Sequence, residues 1–424
     1  MSARQLDLFE IDEPVAIKNT STFIDNMRLP VHRWFRYSAG FSAQWAESVI
    51  ASEGALRVLD PFCGSGTTLI AAENASAESY GVEAHPFVAR VARAKLARRS
   101  DPEAYRSLAH RVLQCAKRSE RCDEDYPPLI KKCYTEQTLF DLDKIRRAVA
   151  ENQDSSPAAE LVWLTLVGIL RITSHVGTAN WQYVLPKKTK KNPSAPFDAF
   201  RKLTDTIYQD MLVSQDIRTP SAKLVQADAR TCDGVPSGFA DLVITSPPYP
   251  NNYDYADATR LEMSFLREIG GWGDLHESVR KHLVRSCSQH VPERAANLDE
   301  VLGASELGPI RSELAPICHQ LADVRLTKGG KKTYHLMVAC YFLDLTKTWH
   351  ALRRVCASPC KVCFVIGDSA PYGVYVPVHD WLGRLAIAAG FSDFRFEKIR
   401  DRNTKWKNRK HRVPLCEGRL WVEG

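Results

Sequence analysis

The chain has 424 residues, 44% hydrophobic and 25% charged, so it can bury a sizeable core and is expected to contain more than one domain or large insertions. A formal net charge of +7 favours polyanionic partners, and the absence of any run of 18 apolar residues argues against a membrane-spanning protein. Twelve scattered cysteines point to reduced thiols rather than a disulfide framework, and the N-terminus has no basic-then-apolar leader, so a cytoplasmic, nucleoid-associated protein is expected.

Taken in chain order, residues 1–20 read as a flexible polar tail. Within it Gln5-Leu-Asp-Leu-Phe9 resembles the short peptide by which bacterial replication and repair proteins dock on the sliding clamp, with Leu8 and Phe9 filling an apolar pocket and Gln5 anchoring the end. The other reading is an arm that folds back on its own core through Leu6, Leu8 and Phe9. Leu56-Arg-Val-Leu-Asp60 reads as a strand and Thr67 to Glu73 as an amphipathic helix, so Asp60-Pro-Phe-Cys-Gly-Ser-Gly-Thr-Thr68 is a strand–turn–helix. Gly64 and Gly66 can take positive φ and carry no side chain, so a ligand can lie over the turn. The next strand, Ser79 to Glu83, ends in a carboxylate at the distance where nucleoside-binding βαβ units place an acceptor for ribose hydroxyls. The pattern is neither the six-residue dinucleotide fingerprint nor a phosphate-cradling loop. A cofactor with a ribose and no bridging phosphate fits, and S-adenosylmethionine is one. An ordinary glycine-containing turn is the alternative.

From Pro102 to about Thr219 the periodicity is helical, as in Ala158–Ser174 and Phe197–Met211, which predicts a helical insertion in the sheet. It carries the basic run Lys187, Lys188, Lys190 and Lys191 beside Trp181 and Tyr183, read as a loop that meets a phosphate backbone or else as a solvated surface loop.

Ala240 to Thr245 reads as a buried strand, and Ser246-Pro247-Pro248-Tyr249 stiffens its carboxyl end, where open α/β sheets place ligands. An exocyclic amine of a nucleobase is a poor nucleophile because its lone pair is delocalised into the ring. Two fixed acceptors, the Ser246 side-chain oxygen and the Pro247 carbonyl, would hold both amino hydrogens and aim the lone pair at a methyl donor. Tyr249 would stack on a base flipped out of the helix.

With both motifs in hand, the chain resembles the amino-methylating DNA methyltransferases, most closely the cytosine-N4 branch with its Ser-Pro-Pro-Tyr motif. The resemblance implies a Rossmann-like, doubly wound α/β sheet with helical insertions, S-adenosylmethionine as cofactor, double-stranded DNA as substrate and no metal. It leaves room for a restriction endonuclease partner. Cofactor roles are implied for Asp60, Pro61, Cys63, Gly64, Gly66, Thr67 and Glu83. His32 to Ser42 is similar to the segment that packs on the methionine part of the cofactor, which assigns Phe41 and Ser42 there. Leu224 to Asp228 is similar to the strand whose terminal acid meets the adenine, the alternative for Asp228 being a strand-end turn acid. Ser246 favours cytosine over adenine; adenine-N6 methylation, an RNA substrate and a catalytically silent DNA-binding subunit are the rival readings.

Beyond the catalytic strand, residues 265–333 form a second insertion, a candidate for target recognition, before a helix starting near Tyr334. Cys356, Cys360 and Cys363 have the spacing of a radical-type iron–sulfur motif, but Cys363 falls within a strand, so the expected structure is a helix over 346–355, a turn at Ser358-Pro359 and a strand over 361–366. Between Arg395 and Arg412 lie nine Lys or Arg, among them Lys405, Lys407, Arg409 and Lys410, a ribbon suited to phosphates that runs into a closing strand over 413–422. The predicted division is therefore a tail (1–20), a cofactor-binding half (21–100), the helical insertion (101–220), a catalytic segment (221–264), the second insertion (265–333) and a C-terminal part of the core with the basic ribbon (334–424).

Overall fold

The computed structural model describes residues 25–38, 40–120, 125–178, 183–190, 192–216, 218–291, 296–330, 332–402 and 413–424. The sheet begins with β1 (Arg57–Asp60) and β2 (Glu78–Val82), framed by α1 (Ala43–Glu53), α2 (Thr67–Asn74) and α3 (Pro86–Leu96). The helical insertion follows as α4 (Pro102–Arg118), α5 (Pro128–Cys133), α6 (Glu136–Glu151), α7 (Pro157–Thr173) and α8 (Pro196–Ser214), interrupted between α7 and α8 by the pair β3 (Val176–Thr178) and β4 (Val184–Thr189). The sheet resumes with β5 (Lys223–Val225) and β6 (Ala240–Thr245). A second excursion holds α9 (Tyr255–Ala258), α10 (Arg260–Phe265), α11 (Asp274–Ser278), α12 (Leu298–Gly303) and α13 (Arg311–Leu326). The chain closes with α14 (Tyr334–Val355), β7 (Cys356–Gly367), α15 (Val378–Ala388), β8 (Asp393–Arg402) and β9 (Leu415–Glu423).

The seven-stranded sheet has the order β5-β2-β1-β6-β7-β9-β8, parallel through β7 and antiparallel for the last two strands. This is the expected Rossmann-like architecture. Alternation along each strand divides its side chains between two helical layers. Val58, Leu242, Ile244, Cys363, Val365 and Trp421 face the layer holding α1 and α2, whereas Leu59, Val243, Phe364, Ile366, Leu420 and Val422 face α14 and α15. The insertion packs α4, α6, α7 and α8 into one core with α3 and with Val31, Trp34 and Phe35. Gly168 in α7 permits that docking: a Cβ there would stand 2.8 Å from the Trp34 carbonyl.

Three local expectations are corrected. The helix before β7 starts at Tyr334 and enters the strand at Cys356 without the turn expected at Ser358-Pro359, because pairing with β6 begins at Cys356. The basic run is not a loop, since Lys187 and Lys188 lie on β4. The 102–219 region contains a strand pair that its helical periodicity did not signal.

The alternation also separates the cysteines. Cys356 and Cys360 pack on the α14 face and Cys363 on the α1 face, so the three cannot share one cluster. No described helix is long and apolar enough to cross a membrane.

Candidate functional site

The chain builds β1, β2 and β5 outward on one side, then returns to lay β6 and β7 on the other side of β1. Adjacent parallel strands β1 and β6 (Val58 opposite Leu242, Leu59 opposite Val243) therefore diverge in their connections, and the crevice at their carboxyl ends is the topological switch point at which such sheets bind ligands. The glycine turn leaves β1 there, and Ser246-Pro-Pro-Tyr249 leaves β6 beside it.

Asp60, only 2% exposed, ties the two together. Its Oδ1 accepts from the Phe62 N–H (3.0 Å) and the Thr245 hydroxyl (2.5 Å), and its Oδ2 from the Thr68 hydroxyl (2.6 Å). Burial pushes its pKa up to about 6 against those hydrogen bonds. Asp60 thus has a scaffold role, joining β1, α2 and β6. Cys63 is likewise turned inward: its Sγ packs at Gly81, where a Cβ would approach it to 3.0 Å, and its N–H donates to the Val82 carbonyl. Phe41 is a core residue, edge-to-face with Trp45 at 5.4 Å, and Ser42 caps α1 by accepting from the Trp45 N–H. Both side chains thus also have structural duties. Pro61 is buried within the turn.

The remaining groups of the turn have the chemistry of hydrogen-bond acceptors and bare backbone. Gly64 (φ 52°) and Gly66 (φ 86°) hold the left-handed conformation that a tight, bare turn needs. The ring of Tyr37 lies over Gly64, so close that a Cβ would meet it at 2.8 Å. Glu83 Oε2 accepts from the Gly64 N–H and Oε1 from the His85 N–H, each at 2.8 Å. A carboxylate offers about four acceptor positions, and with the Ala84 N–H as a further donor about one stays free for a hydroxyl. Burial raises the Glu83 pKa to about 7, opposed by the His85 and Gly64 hydrogen bonds. His85 bonds Thr259 through Nε2 (2.8 Å), while its buried Nδ1 lacks a partner among the described residues. These groups fit a ribose-bearing cofactor. Thr67 opens α2 just past Gly66.

At the end of β6, the Ser246 hydroxyl donates to the Val365 carbonyl (3.0 Å), which leaves its oxygen able to accept. Among the described residues nothing donates to the Pro247 carbonyl. Pro247 is buried and Pro248 partly so. The Arg402 guanidinium stands 5.1 Å from the centre of the half-buried Tyr249 ring.

The loop that follows adds aromatics that the motif search passed over. Tyr253 meets Tyr255 edge-to-face at 4.6 Å and Tyr183 at 5.5 Å, and the Tyr183 hydroxyl accepts from the Asp254 N–H. Asp254 is gripped by Arg280 (2.7 Å), and Asn252 Oδ1 by Ser288, so the 280–290 segment braces this loop. The run Tyr-Asp-Tyr directly after the proline motif was the available signal.

Asp228 departs from its expected place. The strand ends at Val225, and the carboxylate three residues on, 31% exposed, is taken by Arg230 at 2.6–2.9 Å. It lines a cavity of about 520 Å³ with Arg230, Arg280, Arg285 and Asp344. Lys190 also changes role: its half-buried ammonium donates to the Arg171 and Ile172 carbonyls near the end of α7, whereas Lys187 and Lys188 are exposed. Among the described residues, one group has metal-ligand donor types, Asp368, His379 and Cys416, but Asp368 is hydrogen-bonded to both others (2.9 and 3.1 Å) and to Tyr375. Gln5 to Phe9, Trp181, Lys191, Lys405, Lys407, Arg409 and Lys410 lie outside the described residues.

Residues 50–94, which span β1, the glycine turn, β2 and most of α3, match the DNA methylase family. The chain is similar to the Type II methyltransferase M.BsoBI of Geobacillus stearothermophilus, at 23% identity over 89% of this chain and 82% of that protein. It is similar also to the Type II methyltransferase M.AvaI of Nostoc sp. (strain PCC 7120), at 25% identity over 92% of this chain and 85% of the relative.

Proposed function

We propose that this chain is an S-adenosylmethionine-dependent amino-methyltransferase that methylates the N4 amine of cytosine at a specific site in duplex DNA, a reading supported by the DNA methylase match over residues 50–94 and by the similarity to Type II methyltransferases. The observation that carries the reading is the meeting of the glycine turn and Ser246-Pro-Pro-Tyr249 at the switch point between β1 and β6. The bound cofactor supplies an electrophilic methyl group. Glu83 accepts hydroxyl hydrogens, and the positive φ of Gly64 and Gly66 gives the turn its tight path beside it, with the Tyr37 ring packed on Gly64. The Pro247 carbonyl and the open acceptor position of Ser246 each take one amino hydrogen of the extruded base. That holds the nitrogen away from planarity, so its lone pair is available for in-line attack. Tyr249 supplies the stacking surface for the flipped base. As the N–C bond forms, the amine becomes cationic, and the same two acceptors stabilise its hydrogens until one is lost to water. Exposed Lys187 and Lys188 are proposed phosphate contacts.

Ser246 at the head of the motif favours cytosine. The test is transfer of labelled methyl groups to unmethylated genomic DNA, followed by nucleoside analysis. Label in N4-methylcytosine, lost in Ser246→Ala, supports the reading. Label in N6-methyladenine keeps the mechanism and overturns the base. Absence of label in DNA, with cofactor binding intact, refutes DNA methylation and points to RNA or to a silent binding subunit.

A further inference from the structure

We propose that Arg402 is a positioning residue for Tyr249, fixing the ring on which the extruded base stacks; this rests on the function proposed above. Three observations converge on it. Gly367, the last residue of β7, gives the guanidinium its path: a Cβ there would stand 2.6 Å from Arg402 Nη1 and 3.1 Å from its Cδ. Two anchors then hold the group, the Asp368 carbonyl accepting from Nη1 at 2.9 Å and the Glu417 carboxylate lying 3.7 Å from Nε. From that position Arg402 reaches the Tyr249 ring at 5.1 Å.

The exposure of the pair decides what this contact does. The Arg402 and Glu417 side chains are 14% and 13% exposed, so the cation is largely out of water, where its attraction to an aromatic face is strongest. Its charge is directed at Glu417 and the Asp368 carbonyl, which separates it from the rest of the basic ribbon: a side chain anchored in this way is poorly placed to neutralise a phosphate. Tyr249 is consequently restrained through its ring by Arg402. Stacking transmits the position of that ring to the base, and the base carries the amine that must reach Ser246 and Pro247. A misplacement on the order of 1 Å can cost about 100-fold in rate.

The test is a double-mutant cycle on methyl transfer to DNA, read in single turnover so that slow variants stay measurable. Arg402→Met is expected to slow transfer about tenfold, with the KM for S-adenosylmethionine within about twofold of wild type and the salt dependence of DNA binding unchanged. In a Tyr249→Ala background the same substitution should cost less than about twofold, because the ring it acts through is gone. Gly367→Ala, which keeps the arginine but displaces its guanidinium, should reproduce the loss even if Arg402→Met folds poorly. An equal loss from Arg402→Met in both backgrounds, or unchanged transfer in Arg402→Met and Gly367→Ala, would overturn the proposal. A loss appearing as weaker DNA binding with a shallower salt slope would make Arg402 a phosphate contact instead. If the wild-type protein itself transfers no methyl group to DNA, the proposed function falls and this inference with it.

Discussion

Replacing Glu83 by glutamine, and varying pH around it, tests the cofactor cradle most directly. Buried Glu83 has its pKa raised from 4.5 to about 7, because burial outweighs the hydrogen bonds from His85 and Gly64. Hydroxyl donors on a ribose bind the carboxylate in preference to the acid, so affinity should rise with pH through that value. If only the ionised form binds, the apparent dissociation constant scales as one plus the ratio of acid to carboxylate, about 11 at pH 6 and about 1.1 at pH 8, a tenfold change. The sign for folding is opposite. Between pH 4.5 and 7 the folded, ligand-free protein holds a proton that the unfolded chain has released, so this group's contribution to stability falls by about 3 kcal/mol as pH rises through that window. Glutamine removes the titration and turns an amide N–H toward Gly64 or His85, whose N–H groups sit 2.8 Å from the present oxygens. One unsatisfied buried donor costs about 1–3 kcal/mol of stability with or without ligand, and affinity at pH 8 falls because the amide offers one acceptor oxygen where the carboxylate offers two. Calorimetric titration with S-adenosylhomocysteine reads both effects without turnover. Wild-type affinity that stays flat from pH 6 to 8, or a Glu83→Gln protein that keeps the tenfold dependence, would refute the assignment.

Asp60→Ala should act on the scaffold: with the Phe62 N–H and the Thr68 and Thr245 hydroxyls losing their shared acceptor, the loss should be about 3–5 kcal/mol, seen as a lower urea midpoint. Ser246→Ala removes an amine acceptor, so methyl transfer should slow by about 100-fold or more, with S-adenosylhomocysteine binding nearly unchanged; an equal loss of cofactor affinity would contradict this role. The lysines of the insertion should separate in their effects. Replacing both Lys187 and Lys188 by alanine should reduce the slope of log affinity against log salt by about 1.8 with stability unaffected, whereas Lys190→Ala should lower the thermal midpoint and leave that slope alone.

The sequence by itself determined most of the elements of the sheet and where its two motifs lie. The alternation in β6 and β7, the glycines of the first turn, the acid after β2 and the proline-stiffened end of β6 are local patterns, written within a few residues of one another, and each stands where it was read. The strand pair β3–β4 was not legible, because a two-stranded ribbon inside a helical insertion draws its stability from the surrounding core rather than from its own alternation. Tertiary structure alone decided which way each motif residue faces. Asp60 and Cys63 sit in the same turn as Gly64, yet one acceptor is consumed by Thr245, 185 residues away, and the thiol by the bare backbone of β2. Lys190 belongs to a basic run by sequence and to the end of α7 by geometry. Arg402 and Tyr249 are joined only because β9 pairs with both β7 and β8, so that the Arg402 side chain at the end of β8 reaches the end of β7, where Gly367 leaves the space. Backbone preference is set by neighbours along the chain, whereas the partner of a buried polar group is set by strand order and register, which no local pattern encodes.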